Sequence, residues 1–235
     1  MSVQIEMVRL KDISSTVFYD MSSRNETVQP LTSIDTKHSY ISNILWQSSN
    51  SSDSILVTYQ YIADIDIFII GQPSIHLKTL KTFIDNREGN LSILNIDSHR
   101  ILVGSSKGVI RMWSTSKSAN SKPQWEIQAD PSTSRHECGG VIHISLIDAM
   151  TFVALTRSGM ISFFDFRPAN LTVKSFGSTP SPLLVHRHRI DIESNFISGV
   201  TPLQESHLLL LSISNQNSFI CNIFSGNVST FASHY

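Results

Sequence analysis

Two stretches of this 235-residue sequence hold residues whose types and spacing could do chemistry. The first is Gly104-Ser105-Ser106-Lys107-Gly108, where glycines flank a lysine as they do in a phosphate cradle. A P-loop, however, needs GxxxxGK[ST] opening a helix, so that backbone N–H groups at the helix start point at the phosphate. Here the turn opens a β-type run, Val109–Trp113, and Lys107 also lacks the S-x-x-K spacing that sets a lysine beside a nucleophilic serine. The stretch is predicted to be a hairpin turn. The second is His186-Arg187-His188. On a strand its two imidazoles share a face, as two metal ligands would, and a third ligand would have to come from His136, Cys138, His143 or Asp191. Nothing in the spacing fixes that proximity, and an exposed basic loop is the preferred reading. Just upstream, Thr179-Pro180-Ser181-Pro182 is either a rigid turn or a pair of proline-directed phosphorylation sites, with Thr179 and Ser181 as acceptors beside Arg187 and Arg189. There is no G-x-S-x-G elbow, no H-E-x-x-H helix and no carboxylate pair in a setting that would raise a pKa, so no catalytic, cofactor or metal residues are assigned.

The elements that must position these residues are strands. Short β-branched and aromatic runs recur between Ser, Asn, Asp, Gly and Pro, with no sustained helical period. The runs repeat in a fixed order. Leu91–Asp97, Arg100–Gly104, Val109–Trp113 and Gln124–Ala129 form one copy. Val141–Ile147, Phe152–Thr156, Met160–Phe164 and Leu171–Phe176 form the next, and Phe196–Pro202, Leu208–Ile213, Phe219–Ile223 and Val228–Phe231 the last. Tyr40–Trp46, Ile55–Tyr59, Ile65–Ile70 and His76–Phe83 fit more loosely, and Val3–Leu10, Thr16–Tyr19 and Thr27–Ile34 fit a copy lacking its opening strand. Four antiparallel strands in about 40–60 residues is the blade of a β-propeller. The expected fold is all-β, one propeller domain over residues 1–235, with blades near 1–35 (partial), 36–85, 90–130, 140–178 and 194–235. Such blades are apolar on both faces, which explains LLLLSI at Leu208–Ile213. Trp113, Phe164 and Ile223 fall at matching places in the third strands and are predicted to pack between blades.

Leu102–Ser114 (LVGSSKGVIRMWS) resembles the core of a WD40 repeat: a small-residue strand, a Gly-containing turn and a strand ending at Trp. Val153–Asp165 (VALTRSGMISFFD) is similar to it, with Phe164-Asp165 in place of Trp-Asp. The departures are Ser114 after Trp113, the missing Trp in most copies and the missing Gly-His pairs. They place stability in apolar stacking between blades rather than in the family's Asp-His-Ser/Thr-Trp hydrogen-bond network. The family usually closes its ring with seven blades, so about five leave three readings: a fragment or partial propeller, which is preferred, an open ring completed by a partner, or further strands that the pattern does not reveal. Phe152–Arg167 also resembles the WDxR box by which some WD40 proteins dock on the propeller adaptor of cullin-4 ubiquitin ligases. Phe164, Asp165 and Arg167 fall on that box, with Leu155 and Ser158 departing from it. The alternative is that Asp165 and Arg167 satisfy their own blade.

Composition narrows the function classes. Eighteen basic and nineteen acidic residues give a net charge of −1 with no long run of either sign, which argues against a broad basic face for nucleic acid. Charged residues are 16% of the chain, below the ~25% of typical domains, and serine-rich stretches replace them. Two cysteines, Cys138 and Cys221, exclude a disulfide framework and a four-cysteine zinc site; a single bridge is the alternative, and two buried thiols in a reducing compartment are the preferred expectation. No apolar run reaches the ~20 residues of a membrane span, and the charged start MSVQIEMVRLKD is not a signal peptide. Location in the cytoplasm or nucleus is the expectation. The resemblance implies a non-catalytic scaffold for protein–protein interaction, a WD40-repeat subunit of a larger complex without cofactor, its contacts made by loops such as Ser114–Pro123 and Asp130–Gly140. The competing reading is a substrate receptor of a cullin-4-type ligase.

Overall fold

Runs of Val, Ile, Leu, Phe and Thr become strands wherever Ser-, Asn-, Asp- or Gly-bearing breaks bound them. A computed structural model of the chain describes residues 3–10, 13–20, 30–36, 40–47, 53–70, 75–81, 88–116, 122–130, 139–167, 181–190, 197–203, 207–213 and 218–230. Nineteen strands form five antiparallel sheets. The first holds β1 (Val3–Leu10), β2 (Ile13–Asp20) and β3 (Pro30–Asp35). The second holds β4 (Ile41–Gln47), β5 (Ser54–Tyr59), β6 (Ile65–Ile69) and β7 (Ile75–Leu80). The third has β8 (Asn90–Asn95), β9 (Arg100–Ser105), β10 (Val109–Ser114) and β11 (Trp125–Gln128). The fourth has β12 (Val141–Leu146), β13 (Thr151–Thr156), β14 (Met160–Asp165) and β15 (Leu183–Arg189). The fifth has β16 (Ile197–Pro202), β17 (Leu208–Ile213), β18 (Phe219–Asn222) and β19 (Val228–Thr230). Spatial order equals sequence order in each, so every sheet is a hairpin meander.

Sheets stack because alternate residues of a strand face different neighbours. In the third sheet, Leu102, Ile110 and Met112 bury against Phe152, Ala154 and Phe164 of the fourth. Ile101, Val103 and Trp113 turn the other way, against Leu56, Ile65 and Ile67 of the second. The fourth sheet repeats this, sending Val153, Leu155, Ile161 and Phe163 to meet Leu209, Leu211, Cys221 and Ile223 of the fifth. Ile55, Val57, Tyr59 and Phe68 of the second pack with Ile34 of the first. The first strands of sheets two to five lie side by side, β4 on β8, β8 on β12 and β12 on β16. They are the inner strands of four blades. Among the described residues the fifth sheet does not meet the first, and the ring is open.

Polar side chains staple one inner strand to the next. Asn43 Nδ2 donates to the Leu91 carbonyl (2.9 Å), Ser92 Oγ to that of Val141 (2.9 Å) and Asn95 Nδ2 back to that of Trp46 (2.9 Å). Close approach also fixes one glycine: a Cβ on Gly89 would lie 1.6 Å from the Gln60 carbonyl oxygen.

The expectation that stability rests on apolar stacking alone is incomplete. At the middle of β10 the Arg111 guanidinium is buried and donates two bonds to the Glu88 carboxylate, at 2.9 and 3.0 Å, while its Nε reaches Glu126 at 2.7 Å. Burial opposes the Arg111 charge, but the two carboxylates outweigh it and hold the pKa above its ordinary value. At the matching position of β6, Asp66 accepts from Tyr59 Oη (2.7 Å) and Thr79 Oγ1 and contacts His76 Nε2 at 3.2 Å. Hydrogen bonds from Thr79, Tyr59 and His76 overcome the cost of burial and keep its pKa below the usual carboxylate range. These groups occupy the middle of their sheets, on or against the third strand.

One strand lies elsewhere than expected. The outer strand of the fourth sheet is Leu183–Arg189, so this sheet runs past residue 178. The segment expected in that role, Leu171–Phe176, lies outside the described residues. An outer strand has only one strand partner, and a charged sequence is tolerated there, so polarity misleads. His186-Arg187-His188 is accordingly strand rather than basic loop, paired with Phe163, Ser162 and Ile161.

Candidate interaction surface

The glycine-lysine turn joins β9 to β10. Ser105 Oγ is buried beneath it and accepts from the backbone N–H of Lys107 and of Val109, each at 3.2 Å. Gly108 has φ 72°, a left-handed conformation that the turn demands and glycine adopts without strain. Ser106 Oγ accepts from the Gly89 N–H at 2.9 Å. Both serine oxygens are thus engaged inside the fold, and a strand, not a helix start, follows.

At the far end of the fourth blade, β14 closes on Asp165. Its carboxylate accepts from the Arg167 backbone N–H (2.7 Å) and from Arg167 Nε and Nη2, the last at 2.6 Å. Each partner strengthens the other's charge: hydrogen bonds from Arg167 lower the Asp165 pKa, and those to Asp165 raise that of Arg167. In the neighbouring turn, Asp148 accepts from the Met150 N–H at 2.7 Å and from Thr151 Oγ1 at 3.1 Å, and its pKa is lowered chiefly by the Met150 bond. Asp97 makes the equivalent turn in the third blade, accepting from the His99 N–H and from Arg100 Nε. Asp165 and Arg167 therefore satisfy each other, yet the Arg167 side chain remains 68% exposed. Phe164, the box's aromatic, is buried against Phe152, their stacked rings 4.9 Å apart.

The predicted packing residues sit at three junctions: Trp113 between the second and third blades, Phe164 between the third and fourth, and Ile223 between the fourth and fifth. The Cys221 thiol is buried, which pushes its pKa up to about 11, an inert setting.

Along β15 the faces divide as the pairing dictates. Arg187, opposite Ser162, points toward the third blade and meets the buried Asp130 at 3.1 Å. His186 and His188 lie on the other face with ring centroids 5.6 Å apart, against Phe163, which in turn stacks on Phe224 of the fifth blade. Burial and the neighbouring His186 push the His188 pKa down. The proposed third ligands His136, Cys138 and Asp191 lie outside the described residues, and His143 sits in β12. Among the described residues no three His, Cys, Asp or Glu side chains gather as a metal site. Ser181 is exposed; Thr179 and most of the loops Ser114–Pro123 and Asp130–Gly140 lie outside the described residues.

What sequence reasoning missed is the chemistry at the blade centres, Arg111 with Glu88 and Asp66 with Tyr59. A polar residue at the middle of each third strand, flanked by apolar ones, was the signal available. No protein-family model matches the sequence and no curated protein does. Among solved structures, the chain is similar to the Cps50 (Swd1) β-propeller domain of Myceliophteria thermophila. The two are 12% identical with a TM-score of 0.67, and the match covers 92% of this chain and 65% of that one. The chain thus spans about two thirds of that domain's length, and at this identity the likeness is one of fold. With five meander sheets stacked in chain order, the fold of this chain is that of a β-propeller whose first and fifth sheets, among the described residues, do not meet.

Proposed function

We propose that the chain is a non-catalytic scaffold for protein–protein interaction, a subunit of a larger complex in the cytoplasm or nucleus. One observation carries the reading: the groups that could do chemistry, Ser105, Asp66, Arg111 and Glu88, are buried in bonds that hold their own blades together. What remains at the surface is hairpin ends and outer strands on a rigid stack, the arrangement in which binding residues commonly sit. The balanced charge speaks for protein rather than nucleic-acid partners, and no helix among the described residues is long and apolar enough to cross a membrane. Affinity purification of the tagged protein at native abundance is expected to recover stable protein partners in fixed ratio. Recovery of the chain alone, together with a turnover activity of the purified protein, would overturn the reading.

A second reading is favoured by the exposed guanidinium of Arg167, held by Asp165 at the end of β14. It would dock on the adaptor of a cullin-4-type ligase by pairing with an acidic group. Arg167→Ala is expected to abolish adaptor co-purification while leaving thermal stability within about 0.5 kcal/mol, as for other surface substitutions. Unchanged co-purification refutes this docking mode.

A further inference from the structure

Among the described residues every sheet ends in an outer strand with one unpaired edge, but these edges are not alike. β11 spans four residues and β19 three, whereas β15 spans seven. Five of its seven residues are exposed, among them Leu183 (52%) and Val185 (61%), two of the most exposed large apolar side chains described. Among the described residues no strand pairs with its outer side. Such an edge presents a row of N–H and C=O groups able to extend the sheet. Its side chains are graded along its length: apolar Leu183 and Val185 come first, then His186, Arg187, His188 and Arg189. Asp130 takes up Arg187, while Arg189 has no ion-pair partner among the described residues.

We propose that the outer edge of β15 receives an acidic extended segment of another protein as a fifth, antiparallel strand of the fourth blade. Antiparallel pairing continues the meander of the sheet. It also fixes the ligand's polarity: acidic residues come first, opposite His186–Arg189, and apolar residues follow, opposite Leu183 and Val185. A second copy of β15 is a poor occupant. Paired antiparallel over its full length, it would set Leu183 against Arg189, Val185 against Arg187 and His186 against His186, matching neither apolar groups nor charge. The cations that repel a like edge select an acidic one. The proposal draws on the scaffold reading only in taking the ligand to be a protein segment. It concerns the chain's own edge, so it is tested on the purified chain without any cellular complex.

The probe is a fluorescein-labelled peptide Asp-Glu-Asp-Glu-Val-Ile-Val, with the reversed order Val-Ile-Val-Glu-Asp-Glu-Asp as its control of equal charge and composition. Anisotropy titrations of the full chain at about 50 mM and about 300 mM salt should show forward binding that weakens with salt. The reversed peptide should bind at least tenfold more weakly. Arg189→Glu should cost the forward peptide about tenfold or more with an unchanged melting curve, and amide exchange along 183–189 should slow on binding. Equal affinity for the two orders, no effect of Arg189→Glu, no slowing at β15, or no binding of the forward peptide would each overturn the proposal. Failure of these peptide tests leaves the scaffold reading standing, because that reading is tested by co-purification of partners and not by this edge.

Discussion

Removing the Glu88 carboxylate tests whether the polar centre of the third blade acts as one unit. The Arg111 side chain is 2% exposed and that of Glu88 0%, and their bidentate contact is the guanidinium's main anchor. In Glu88→Leu the charge stays buried with only Glu126, itself 25% exposed, to answer it. Orphaning one partner of a buried ion pair costs about 3–5 kcal/mol, and the surviving Glu126 contact places the cost near the lower end. At roughly 2–4 °C per kcal/mol for a chain of this size, the melting temperature should fall by about 6–12 °C. Glu88→Leu combined with Arg111→Met removes both charges and leaves Glu126 to water, and it should recover most of the loss, because apolar replacements of buried pairs are often neutral. Urea denaturation and thermal melts of the wild type, both single variants and the double variant close the cycle. A Glu88→Leu cost below about 1 kcal/mol would refute the reasoning, as would a double variant whose loss equals the sum of the singles.

Burial pushes the His143 pKa down to about 4, against about 6.5 in an unfolded chain. Below pH 6.5 the unfolded state therefore binds a proton that the native state refuses. The contribution of His143 is intact above that pH and is lost on acidification at about 1.4 kcal/mol per pH unit, up to roughly 3 kcal/mol by pH 4. Urea titrations at pH 7 and pH 5 measure it, and His143→Gln should flatten that part of the profile; an equally steep profile in the variant refutes the assignment. Trp113, fully buried between the second and third blades, should cost about 3–5 kcal/mol as Trp113→Ala, read from the shift in urea midpoint. A loss under about 1 kcal/mol would mean that it does not carry that junction.

The sheet pattern was legible wherever apolar period and turn residues agreed. Val109–Trp113 and Met160–Phe164 announce themselves because alternate residues must satisfy two neighbours at once, and the turns before them hold Gly108 and Gly159. Outer strands were less legible. LTVKSF at Leu171–Phe176 has a better strand composition than LLVHRHR, yet the observed partner of β14 is the latter, since one-sided pairing asks little of the side chains. Phe164, Asp165 and Arg167 were singled out from sequence by resemblance alone; the mutual pairing of Asp165 and Arg167 follows from an i, i+2 relation across a strand end. The Arg111–Glu88 bond could not be read, because its partners lie on a strand and on the segment before the blade's first strand, and only the fold brings them together.

The division of each strand between two neighbours has a bearing on how such a sequence can change. Leu102 answers to the fourth blade and Val103 to the second, and both requirements are met by any side chain that is apolar and of the right bulk. Register is then held by size, Trp113 against Met112, and by a few inter-strand staples, rather than by a polar face that must stay wet. Substitutions that preserve volume pass without a change of architecture. A chain built this way constrains side-chain volume more than residue identity, in keeping with an architecture shared at 12% identity.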